Sequence, residues 1–163
     1  MGKLGYPGYD TCMGNYKLEP VELGAWRGFL RVHAALIRDL DTELQERHGL
    51  PLSSYEVLLT LSSAPDGEMR MSDIADSVLL SRSGLTRLVD RLEREGLLER
   101  RECPTDRRGA NAAITAAGRE RFEEARRTHL AGVRERFLDR LCEEDLRALG
   151  SAWEHVLPGS VES

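Results

Sequence analysis

The sequence predicts a mainly α fold with a small β-wing, and three observations predict it. Long amphipathic stripes lie near both ends, over residues 19–48 and 116–141. Between them, Met71 to Gly118 reads MSDIADSVLLSRSGLTRLVDRLEREGLLERRECPTDRRGANAAITAAG, two short helix patterns and then a hairpin. After Gly96 the apolar period changes from helical to short and extended.

The elements follow in chain order. In the first helix Trp26, Phe29, Leu30, His33, Leu36, Ile37, Leu40 and Leu44 keep a helical period until Gly49 and Pro51 end it. His33, inside that apolar row, is expected to be a packed core residue rather than a ligand. A helix of about 28 residues is ~40 Å long, more than a small winged helix covers by itself. Ser53 or Ser54 is expected to cap a shorter helix with Val57, Leu58 and Leu61 inside, closed by Pro65-Asp66-Gly67. Ser72 caps the next, with Asp73 and Asp76 suited to the positive end of the helix dipole and Ile74, Ala75 and Val78 inside. A short apolar turn, Leu79-Leu80, leads to Ser81 as the cap of a further helix. There Leu85, Leu88, Val89 and Leu92 form one apolar stripe. Ser83, Thr86, Arg87, Asp90, Arg91 and Arg94 occupy the other side, and Gly96 provides a left-handed stop. The pair fits a helix-turn-helix, whose second helix lies in the major groove of duplex DNA.

Leu97 to Arg101 suits an edge strand, and Ala112-Ala113-Ile114 returns as the second strand of a two-stranded wing. Pro104, Asp106 and Gly109 are turn residues between them. Arg107 and Arg108 then sit at the wing tip, where one arginine can enter a minor groove and the other bind phosphate. Asp106 is read as structural, fixing the turn or bonding an arginine. Thr115 is the cap of another long helix, striped by Phe122, Ala125, Leu130, Val133, Phe137 and Leu141. Cys142 starts the last helix, with Leu146, Leu149, Trp153 and Val156 along one side and Pro158-Gly159 after it.

These residues resemble the MarR family of winged-helix transcription regulators. The run SRSGLTRLVDRLEREGLLER at 81–100, the DRRG at 106–109 and ITAAGRERF at 114–122 carry the resemblance, with Ile114-Thr115 in place of the family's Leu-Thr. It extends more loosely from about Glu19 to Val156 and leaves out the first 18 residues. The resemblance places Ser81, Arg82, Ser83, Thr86 and Arg87 at the start of the recognition helix and Arg107 and Arg108 on the wing. Ser81 serves equally as a cap or a phosphate contact. Arg91 joins the candidate DNA-binding set, although Arg91 and Arg94 also have acids within pairing distance in sequence, Asp90 and Glu95.

Composition bounds the remaining possibilities. The net charge is −5, but the segment from Ser81 to Gly109 holds eight arginines against six acids, a local +2 that leaves −7 elsewhere. A localised, all-arginine patch suits guanine edges and phosphate oxygens. Three cysteines (Cys12, Cys103, Cys142) form no CxxC and no even disulfide set, and the four histidines form no metal-ligand spacing. No metal and no cofactor are expected. Neither a phosphate loop nor a nucleophile with an evident base is visible, so no enzymatic activity is expected. No apolar run approaches a membrane span, and no basic-then-apolar leader opens the chain, so a cytoplasmic protein is expected.

The reading divides the chain into an arm at 1–18, expected to be flexible, a helical dimerisation region at 19–52 and 116–157, and a winged helix-turn-helix DNA-binding domain at 53–115. A homodimer would hold two recognition helices one DNA turn, ~34 Å, apart on a near-palindromic operator. The resemblance implies a repressor released by a small aromatic or anionic effector. Trp26, Arg27, Arg31, His33 and Tyr55 are the residues that could line its pocket, and none is assigned as a ligand-binding residue. The competing reading is a winged-helix adaptor whose arginines meet an acidic protein.

Overall fold

The computed structural model describes residues 17–78, 82–102 and 110–161. The chain divides into two units, one ending at Ala35 and the other beginning at Leu36. Helix α1 (Pro20–His48) passes from the first into the second. Pro20 suits the first helical position because its missing N–H would have no partner there. The Glu19 N–H is taken by Glu22 Oε2 at 2.7 Å. In the first unit the rings of Trp26 and Phe29 lie 6.1 Å apart and those of Phe29 and His33 6.0 Å apart. His33 is exposed, not the core residue expected; it shares a face with Trp26, Phe29 and Leu30, which are exposed as well. Helical period alone shows which residues share a face, not what covers it.

The second unit holds a continuous core. Gly49, at φ 60, ends α1, and α2 (Leu52–Ser63) follows. The expected serine cap is absent: Pro51 occupies the N-cap position. The Leu52 N–H is instead accepted by Asp41 Oδ1 of α1 at 2.7 Å, so a carboxylate from a neighbouring helix satisfies the orphan donor. After α2, Pro65–Gly67 make one 3-10 turn with Asp66 at φ 57.

A strand that the sequence pattern did not announce comes next, β1 (Glu68–Arg70), followed by α3 (Met71–Ser77) and α4 (Arg82–Arg94). Arg70, not Ser72, is the N-cap of α3, and the Ser72 hydroxyl donates to Asp73 Oδ1 at 2.9 Å. Strands β2 (Leu98–Glu102) and β3 (Ala110–Ile114) complete a three-stranded antiparallel sheet in the order β1-β3-β2. Glu68 faces Ala113, and Leu98 faces Ile114. The two-stranded hairpin of the sequence reading is thus the outer part of a sheet whose third strand precedes α3. β2 is an edge strand as expected, and β3 lies in the middle.

Thr115 caps α5 (Ala116–Arg136): its Oγ1 accepts the Gly118 N–H at 3.0 Å and donates to the Gly96 carbonyl at 2.7 Å. The apolar stripe read to Leu141 is not one helix. α5 stops at Arg136, a 3-10 turn spans Leu138–Arg140, and α6 (Glu143–Val156) starts behind the Cys142 cap. The core gathers Leu44 from α1, Leu58 and Leu61 from α2, Ile74 from α3, Leu85, Val89 and Leu92 from α4, Leu98 and Ile114 from the sheet and Phe122 from α5. No helix among the described residues is long and apolar enough to cross a membrane.

Candidate nucleic-acid interface

Helix α4 is built to be held from behind. Leu85, Leu88, Val89 and Leu92 are buried, as their spacing predicts. At ~100° per residue the same spacing turns Thr86 and Arg87 outward, and both are exposed. Arg87 has no ion pair among the described residues. The backbones of Arg82 and Ser83 lie in the first turn of α4. Their side chains lie outside the described residues, as do Ser81, Cys103, Asp106, Arg107 and Arg108.

The later arginines divide sharply by partner. Arg91 Nη2 donates to Ser54 Oγ on α2, and its Nε stands 3.9 Å from Glu95 Oε1. Its guanidinium is thus engaged within the chain rather than offered beside Arg87, where the sequence reading put it. Arg94 Nε donates to the Asp90 carbonyl at 3.2 Å and stays exposed. Arg100 of β2 reaches back to α4, pairing with Asp90 and, at 2.6 Å, with Glu93. Arg101 pairs with Glu68 of β1 at 2.8 Å and with Glu99 at 2.6 Å.

The sequence shows the acids beside Arg91 and Arg94, and Glu95 and Asp90 do meet them; sequence reasoning missed the ties to Ser54 and those of Arg100 and Arg101. For Arg100 the signal was Asp90 and Glu93, three apart and therefore on one helix face, followed by an arginine on a predicted strand. The Asn111 amide, which donates to Glu68 Oε1 at 2.7 Å, and then Arg101 hold the Glu68 carboxyl below its ordinary range. Hydrogen bonding to Asp90 is the main cause raising the Arg100 guanidinium further above its already high value. Both shifts favour the charged forms that these ion pairs use.

A second polar cluster lies between α2 and α5. Tyr55 stacks on Phe122 with centroids 5.5 Å apart and meets the His129 ring at 4.6 Å. Burial pushes the Tyr55 phenol up and the His129 imidazole down. His129 Nδ1 is buried without a hydrogen-bond partner among the described residues. Of the five residues that could line an effector pocket, Trp26, Arg27, Arg31 and His33 are exposed and Tyr55 is buried. No group of three or more metal-ligating side chains occurs among the described residues, and Cys142 is exposed with a free thiol.

A buried-backed helix followed by a charged hairpin, the outer part of a three-stranded sheet, defines a winged helix-turn-helix protein. Comparison with known proteins is specific. The MarR family model matches residues 48–109. AbsC of Streptomyces coelicolor, a MarR family transcriptional regulator, superposes with a TM-score of 0.82 at 37% identity, over 87% of this chain and 95% of that one. Sco3205 from the same organism, a MarR family regulator solved in complex with DNA, gives 0.80 at 32% identity, over 88% of this chain and 96% of that one. The HTH-type transcriptional regulator MhqR of Bacillus subtilis is 39% identical over 72 residues, 44% of this chain. The match spans about half of that relative's length, 48%. The chain belongs to the MarR family.

Proposed function

We propose that this chain is a dimeric, sequence-specific DNA-binding transcription regulator, a repressor released by a small aromatic or anionic effector. The observation that carries the reading is the division of α4. Its apolar stripe is wholly buried, while Thr86 and Arg87 face outward with the guanidinium of Arg87 uncommitted among the described residues. An exposed arginine in the first half of such a helix suits bidentate bonding to a guanine edge. Relatives named as transcriptional regulators, one of them solved with DNA, support the same reading.

The DNA-contacting set is Ser81, Arg82, Ser83, Thr86 and Arg87 from α4 and its cap, with Arg107 and Arg108 from the wing. Residues 53–115 form the DNA-binding domain, and residues 19–52 with 116–157 pair two copies. The exposed apolar residues of α1 and α6 support that pairing. The protein acts in the cytoplasm as a regulator, not as an enzyme.

The test is an affinity measurement on a duplex that the purified chain selects from genomic fragments. Arg87→Ala is expected to weaken binding by ~1–3 kcal/mol, the range of one bidentate base contact. Unchanged affinity in both Arg87→Ala and Arg107→Ala, with folding intact, rejects the assignment.

A further inference from the structure

We infer that Arg91 is a positioning residue for the recognition helix and not a DNA contact, acting through the buried hydroxyl of Ser54. The inference rests on the DNA-binding reading above and adds to it how the reading face is held.

Ser54 is wholly buried, the one polar side chain in the core of the described residues. A buried hydroxyl needs a partner, and Arg91 supplies it across 37 positions of sequence. Arg91 lies one turn beyond Arg87 on α4, so the two would form a continuous basic edge if both pointed outward. They do not. Arg91 is half-buried, with Nη2 donating to Ser54 of α2 and Nε 3.9 Å from Glu95 of α4.

On the other flank, Asp90 and Glu93 are held by Arg100 of β2. Positions 90 to 93 are therefore clamped on both sides, to α2 and to the sheet. The first half of α4, which carries Thr86 and Arg87, projects from that clamp. A reading helix must be fixed to a fraction of an ångström to place a bidentate contact, and this pair of ties fixes its roll. The α2 end of the clamp is itself anchored. Asp41 holds the Leu52 N–H, and Tyr55, next to Ser54, stacks on Phe122 of α5. A shift of α2 against α5 is thereby passed to α4 through one hydrogen bond.

The experiment is a double-mutant cycle in DNA affinity. The full-length chain is titrated at several salt concentrations onto a labelled duplex that it has recovered from a random-sequence pool. Arg91→Met, Ser54→Ala and their combination are compared with wild type, with Arg91→Gln as the milder variant should Arg91→Met fold poorly. Circular dichroism checks folding. Each single change is expected to weaken binding by about tenfold, with the double variant no weaker than the worse single, because both remove the same bond. The slope of log affinity against log salt should stay at the wild-type value in all of them. In Arg87→Ala it should fall by about one if that side chain also neutralises a phosphate, and the affinity should drop in any case.

A slope reduced by about one in Arg91→Met or Arg91→Gln, with Ser54→Ala binding as wild type, makes Arg91 a phosphate contact and overturns the inference alone. Additive losses overturn it too. If the wild-type chain recovers no duplex at low salt, the DNA-binding reading fails first and this inference falls with it.

Discussion

The lobe from α2 to the first turns of α5 and the terminal helices treat their apolar residues in opposite ways. In the lobe, Leu58, Leu61, Ile74, Val89, Leu92 and Leu98 are almost completely buried within one chain. Along the first part of α1 and in α6 the same kinds of side chain stay open: Trp26 is 53% exposed, Leu30 45%, Val156 77%. One region has a closed core, to which α1 adds Leu44, and the other carries apolar side chains that stay exposed. Exposed apolar residues grouped along a helix, rather than scattered, mark a surface that meets another molecule. The second copy of our proposal would meet these faces and so hold two copies of the self-contained lobe.

The most damaging change should be to the uncovered face. Leu30→Asp places a charge in the proposed seam, so sedimentation should show a monomer. Operator affinity should drop by ~100-fold or more, since two linked heads gain that much over one. A dimeric, fully binding Leu30→Asp would break the contrast between the two regions.

Gly118→Ala attacks the closed lobe instead. A Cβ there would stand 2.0 Å from the Leu97 carbonyl oxygen, a backbone atom with nowhere to move. We expect a loss of ~2 kcal/mol or more in stability, read by urea unfolding. An unchanged midpoint would mean that the joint between α5 and β2 is looser than described.

Among the proposed DNA contacts, Arg107→Ala should resemble Arg87→Ala, losing ~1–3 kcal/mol of operator binding while the melting temperature stays put. An equal loss of stability would make those arginines part of the lobe's own scaffold.

The smallest effect is expected inside the α2–α5 cluster. Burial holds the His129 imidazole below its ordinary value, so the unfolded chain takes up a proton before the folded chain does. Stability from this residue is full above about pH 6.5 and declines as pH falls below it. His129→Phe should flatten that decline and leave the neutral-pH melting temperature nearly unchanged, because Nδ1 has no described partner to lose. A melting curve with the same acid slope in both proteins would assign the decline to other groups.

How much of this was legible beforehand follows the same division. The stripe of α4, the start of the α5 stripe at Phe122 and Ala125, the Thr115 cap and the Gly96 stop (φ 73) could be read because each depends on neighbours three or four residues away. β1 could not: three residues carry no period, and its existence depends on pairing with Ala113 and Asn111 more than forty positions later. The α2 cap was misread for a similar reason, since Asp41 comes from another helix. Arg91 and Arg87 look equivalent on a helical wheel. Glu95 near Arg91 gives a first hint, and the packing of α2 beside α4 tells them apart. His33 was misplaced because a period reports a face and not its cover.

The most direct test is the mass of the protein–DNA complex, measured by sedimentation with a labelled duplex at low ionic strength. Two chains on one duplex, with the complex dissolving steeply as salt is raised, is the result expected. One chain per duplex, or no complex at any salt concentration, would contradict a regulator that grips DNA with a matched pair of lobes.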